Sequence, residues 1–151
     1  MILKAIKTDL EEIQPLRNLF LQENNFQIRY NACHERGWTG SYILTCNEEK
    51  IGYGAVKGNE NISDRDTIFE FYIIPSLRNI ASPAFAELLH SSGAAFIECQ
   101  SNDLLLTSLL YEYGQNINSS VILFKDDIKT YINIDNIIFR KRKDNDLVFE
   151  H

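Results

Sequence analysis

The sequence predicts an α/β (α+β) domain in which helices flank one mixed, mostly antiparallel sheet with a central parallel strand pair. Three observations carry that expectation. Apolar runs rich in β-branched and aromatic residues alternate with segments of helical spacing. One of those runs, TIFEFYII at 67–74, is the strongest strand in the chain. The order strand, helix, strand between Thr67 and Cys99 requires a crossover, and a crossover joins parallel neighbours.

The elements follow in order. Residues 3–7 alternate as a short strand. Thr8, Asp9, Leu10 and Glu11 have the form of a capping box, in which the Thr hydroxyl and the Glu carboxylate each satisfy an exposed N–H. Leu10, Ile13, Leu16, Leu19 and Phe20 continue at helical spacing, and Pro15 is expected to kink that helix or delay its regular part. The stretch 24–40 reads as a short second helix and a loop. Residues 42–46 and 51–56, joined by a turn at 47–50, read as a hairpin, with a loop over 58–66 before the strand that Pro75 ends. Ser82 is placed as an N-cap with Pro83 at the first helical position, Phe85, Leu88 and Leu89 form the apolar face, and Gly93 is the stop. Residues 94–99 read as a short buried strand. Asn102 or Asp103 caps a last helix whose apolar positions include Leu105, Leu106, Leu109 and Leu110, stopped by Gly114. Further strands are expected at 121–124 and at 131–134, extended towards Phe139.

A chain of 151 residues fits one domain and buries a core without staples. Residues 1–140 read as that domain, and 141–151 as a polar linker or the start of a second one: KRKDND at 141–146 is followed by an apolar turn, LVFEH. An edge strand added to the domain's own sheet is the alternative. The net charge of −6 and the lack of a basic stripe argue against nucleic acid. No apolar run reaches the roughly 20 residues of a membrane span, and the start lacks the pattern of a signal peptide. Cys33, Cys46 and Cys99, odd in number and scattered, fit reduced thiols; the expected location is the cytoplasm.

A strand that ends in Pro75 shortly before Arg78, within this element order, resembles the GNAT N-acetyltransferase superfamily. The family's phosphate loop has the form Arg/Gln-x-x-Gly-x-Gly/Ala, and the matching stretch here is Arg78, Asn79, Ile80, Ala81, Ser82, Pro83. The resemblance implies acetyl-CoA as co-substrate, with its pyrophosphate on the loop's N–H groups at a helix N-terminus. It implies that Arg78, Asn79, Ile80, Ala81 and Ser82 meet the phosphates and that the backbone of Tyr72, Ile73 and Ile74 holds the pantetheine; Asn102 is a cofactor-binding candidate because it follows the parallel strand, where ligands to open α/β sheets collect. Ala81 and Pro83 replace the loop's glycines, and Pro83 has no N–H to donate. Such a bond to a charged group is worth about 1.5–3 kcal/mol, roughly ten- to a hundredfold in affinity. The resemblance covers residues 1 to about 125 and continues in Leu110, Tyr111 and Gly114 on the last helix. The stretch from Phe85 to Leu89, with Ile97 to Asp103, further resembles the first half of bacterial proteins that carry two such domains in tandem.

This chemistry needs a base for the acceptor amine and a proton donor near the thiolate. Glu70, the one carboxylate in the apolar strand, is the candidate base if burial raises its pKa; otherwise it faces solvent. Tyr111 is the candidate donor, with Tyr113 its rival, and both are alternatively core tyrosines. Arg78 is alternatively a surface residue, and Asn102 a helix cap. Phe26, Tyr30 and Trp38 line an acceptor pocket or are plain core, and His34 beside Cys33 is not expected to form a nucleophile pair. Two functions stand: acetyl transfer to a small-molecule or peptide amine, and a catalytically weak lobe with a structural or regulatory role beside a second GNAT domain or a second copy of the chain.

Overall fold

The computed structural model describes residues 1–24 and 26–119. Ten elements follow: β1 (Leu3–Thr8), α1 (Leu10–Glu23), α2 (Asn31–Glu35), β2 (Thr39–Cys46), β3 (Glu49–Lys57), β4 (Thr67–Ile73), a 3-10 turn (Pro75–Ile80), α3 (Ala81–Ser92), β5 (Phe96–Ile97) and α4 (Leu104–Tyr113). The strands expected over 121–139 and the tail 141–151 lie outside the described residues. The sheet runs β1-β2-β3-β4-β5; its first three pairings are antiparallel and β4–β5 is parallel. This is the fold class the sequence predicts.

The hairpin between β2 and β3 turns on Asn47 and Glu48, both at positive φ, the geometry whose twist matches paired strands. Apolar residues on the two faces of the sheet form separate cores. One face packs Leu44, Ile68, Phe71 and Ile73 against Phe85 and Leu88 of α3 and Leu106 and Leu109 of α4. The other packs Ile43, Tyr53, Phe69 and Tyr72 against Ile13 and Phe20 of α1. Close seating of α3 needs Gly54, where an added Cβ would lie 2.2 Å from Leu88 Cδ2.

Four sequence expectations are corrected. No capping box opens α1: Thr8 remains in β1, paired with Ser41, and Asp9 takes the N-cap position without a side-chain bond. Pro15 sits within a continuous α1, whose inner stripe is Ile13, Arg17 and Phe20, while Leu19 is exposed. Ser82 does not cap α3. Pro75 starts a 3-10 turn instead, Ile80 becomes the N-cap, and Pro83 falls third in the helix, where a missing N–H breaks no intrahelical bond. Finally, the strand expected over 94–99 is only two residues long, and Phe96 is half exposed.

The cause of that short strand is a β-bulge. Ala55 pairs with Glu70 and Val56 with Ile68, so Phe69 is the extra residue on β4. The bulge turns Phe69 and Glu70 to the same face, towards α1 and α2, and bends the strand. Pairing with β5 covers only Thr67 and Ile68, the two residues just before it. A backbone bond from Glu98 N to Ile68 O closes the ladder. Among the described residues, no strand pairs with this side of β4 beyond that point.

Candidate acetyl-CoA cleft and its carboxylates

Where β4 and β5 part, a cleft of about 310 Å³ opens between the far half of β4 and the start of α4. Phe71 and Tyr72 form one wall, Asn102, Leu104 and Leu105 the other, with Phe20, Glu23 and Arg78 at its edge. The unpaired side of β4 offers backbone donors and acceptors to an extended ligand, as any free strand edge does. Asn102 reaches Gln27 Oε1 across the cleft's rim at 3.4 Å.

The side chains that the resemblance assigns to phosphate already have partners. Arg78 donates from Nε to Ile73 O at 3.4 Å and from Nη2 to Glu23 of α1. Ser82 Oγ donates to Glu112 and lies 3.0 Å from the Tyr113 hydroxyl. Ala81, buried, has ordinary right-handed helical angles, so a glycine's conformational freedom is not used there, and its N–H bonds Arg78 O. Beside them Asn79 is exposed and Ile80, the N-cap of α3, is half-buried. Both carboxylate contacts are at the surface and weak enough for a phosphate to displace.

Glu70 lies on the other side of the sheet, 2% exposed, in a saturated network. Arg17 grips it from Nε at 3.0 Å and Nη2 at 2.9 Å, Tyr53 donates at 3.0 Å, and His34 Nε2 lies at 3.2 Å. The opposite ring nitrogen of His34 meets Thr39 Oγ1 at 2.9 Å, which commits the imidazole away from Cys33. Burial pushes the Glu70 carboxyl up, but hydrogen bonds from His34 and Arg17 and the Arg17 charge outweigh it and hold the group below its ordinary value. The upward shift expected for Glu70 is therefore corrected: its partners stabilise the charged form.

Between the cleft and this network lies a small cavity, about 10 Å³, bordered by Phe26, Tyr30, Glu70, Glu98 and Asp103. It has room for roughly one water. Trp38 is not among its walls; the Arg36 guanidinium lies over that indole at 4.9 Å. Tyr30, in the left-handed region at φ 52, donates its hydroxyl to Glu98, which Lys57 also holds at 2.7 Å. Burial alone would push Glu98 up, yet Lys57 and Tyr30 keep it below its ordinary value.

Asp103 borders both the cavity and the cleft and is 3% exposed. Its Oδ1 caps α4 by accepting from Leu106 N at 3.0 Å. Burial, aided by the Glu70 charge and opposed by that cap bond, pushes the carboxyl up to about 6. Sequence reasoning took it only as a cap, because local pattern carries no information on what covers a capping residue. Tyr111 is 70% exposed and borders neither space, whereas Tyr113 packs on Phe85 at 5.3 Å and donates to Ser82 O. Among the described residues there is no metal-binding group of side chains, and no helix is long and apolar enough to cross a membrane.

Solved structures of similar fold are acetyltransferases. The ribosomal-protein-alanine N-acetyltransferase of Brucella melitensis biovar Abortus 2308 is 10% identical, covering 83% of this chain and 99% of its own, at a TM-score of 0.57. An aminoglycoside acetyltransferase from an uncultured soil metagenomic sample is 11% identical over 84% and 97%, at 0.53. A predicted acetyltransferase of Clostridium acetobutylicum, solved with acetyl-CoA, is 15% identical over 82% and 96%, at 0.52. No curated protein matches the sequence. The family model described as an acetyltransferase (GNAT) domain matches residues 9–127, most of the length and all of the cleft, and the chain belongs to that family.

Proposed function

We propose that this domain is an acyl-CoA-dependent N-acetyltransferase that moves an acetyl group from acetyl-CoA to an amine. The observation that carries the reading is the cleft opened by the β4 bulge, with Arg78 at its edge three residues before α3 begins. Tyr72, Ile73 and Ile74 supply the strand edge for the pantetheine, and Asn102 closes the far wall. Acceptor chemistry fits the acidic groups on the α1–α2 side, Glu98 and Asp103, which favour a cationic amine. Two structural neighbours are named for amine acceptors, a ribosomal-protein alanine and aminoglycosides. The chain's place in the cytoplasm belongs to the same proposal.

A second reading has its own observation. Glu23 on Arg78, Glu112 on Ser82, and the missing N–H of Pro83 together weaken the phosphate end. They favour a lobe of low activity with a structural or regulatory role beside a second GNAT domain. Thiol release from acetyl-CoA separates the two. With diamines and a lysine peptide as acceptors, the first reading expects amine-dependent release of free coenzyme A by the full chain. Release no faster than the buffer control at millimolar acetyl-CoA favours the second.

A further inference from the structure

Three carboxylates border the small cavity, Glu70, Glu98 and Asp103, and they differ in what surrounds them. Glu70 is saturated by Arg17, His34 and Tyr53, so a proton arriving there would displace a strong donor. Asp103 accepts from the first turn of α4, and among the described residues no cation lies in salt-bridge contact with it. It also separates the two spaces, with the donor cleft on one side and the one-water cavity on the other.

We propose that Asp103 is the catalytic base that takes the proton from the acceptor's ammonium, an assignment that rests on the acetyltransferase reading above. The cavity admits an ammonium head or one relaying water, not the acceptor's skeleton. The amine freed by this transfer forms a C–N bond to the acetyl carbon as the C–S bond breaks. Its second proton goes to the leaving thiolate, and Asp103 returns the first to solvent. Atoms and charge balance: an ammonium and a thioester give an amide, a thiol and one proton.

The surroundings suit the role. Titratable groups facing Asp103 are Glu70 from β4, Glu23 from α1, Tyr53 from β3, Glu98 and Cys99 just past β5, and Arg29 and Tyr30 before α2. Of the cations nearby, Arg17 and Arg78 are turned to Glu70 and Glu23, while Arg29 on the cavity wall is exposed and makes no salt bridge to Asp103. A carboxyl pushed up to about 6 is ionised at neutral pH yet basic enough to accept a proton. Glu98 is already held by Lys57 and Tyr30.

Asp103→Asn tests the assignment without removing the cap, since asparagine serves as well at an N-cap position. The full chain and the variant are compared for melting at pH 4, acetyl-CoA affinity, and the pH profile of kcat/KM. The expected result is a fold and an affinity within about twofold of wild type, a kcat lower by roughly a hundredfold or more, and loss of the acid limb near pH 6. Transfer by the variant within about threefold of wild type, with the acid limb intact, overturns the assignment and leaves the acetyltransferase reading standing. Absence of amine-dependent transfer by the wild-type chain overturns both.

Discussion

Replacing Arg17 by Met is expected to cost about 3–5 kcal/mol of folding stability, because it leaves the buried carboxylate of Glu70 without its guanidinium. Arg17 makes three contacts to Glu70 and also holds Asn31 Oδ1 at 3.1 Å, tying α1 to both β4 and the entrance of α2. His34 and Tyr53 remain after the substitution, yet neither carries a fixed positive charge. For a domain whose whole stability is on the order of 5–15 kcal/mol, such a loss is large. Urea unfolding at pH 7 measures it. The double variant Arg17→Met, Glu70→Gln is expected to lose less than the sum of the singles, because neither charge is then stranded. A loss below about 1 kcal/mol for Arg17→Met would mean that Glu70 is stabilised mainly by its other partners.

The second large effect is in how stability depends on pH. The Asp103 carboxyl is pushed up from 3.8 to about 6, so the folded chain holds its proton where the unfolded chain has lost it. Stability from this group is complete below pH 3.8 and falls as pH rises through about 6. At 1.36 kcal/mol per pH unit, that interval is about 3 kcal/mol. Glu70 acts in the opposite sense: held below 4.5, it gives stability that is present above that value and is lost as pH falls through its folded-state pKa. From pH 5 to 7 the Asp103 effect therefore acts without opposition from Glu70. Asp103→Asn is expected to match wild type near pH 4 and exceed it by up to about 3 kcal/mol at pH 7.5. Taking the difference between the two proteins cancels other groups that titrate in both. A difference that does not change with pH would place the Asp103 carboxyl at its ordinary value.

Much of the fold is readable because its signals are local. Thr67 to Ile73 is a strand by its residue types, Gly93 takes the left-handed angle that ends α3, and the parallel pair follows from element order. What was not readable depends on contacts between distant residues. Nothing in TIFEFYI marks Phe69 as a bulge, so the early parting from β5 is invisible, and with it the cleft. Arg17 did leave a trace: it lies four residues after Ile13 and three before Phe20, on the buried stripe, where a charge needs a partner. Glu70 in its apolar strand was singled out, but as a base, since the strand alone shows burial and not the cations that face it. Asp103 and Asn102 were both read as caps, and only tertiary packing separates them: Asp103 is buried and Asn102 exposed.

Acetyl-CoA binding is the most direct test of the proposal that the space beyond the β4 bulge is a donor site. Calorimetric titration of the full chain with acetyl-CoA, beside Glu23→Gln, addresses the cleft and its phosphate end together. The expected result is saturable one-to-one binding in which free coenzyme A competes. Because Glu23 engages Arg78 through a partly exposed pair worth up to about 1 kcal/mol, the variant is predicted to bind up to roughly fivefold more tightly. Absence of binding to the folded chain and to the variant alike, at millimolar acetyl-CoA, would contradict the assignment of this cleft.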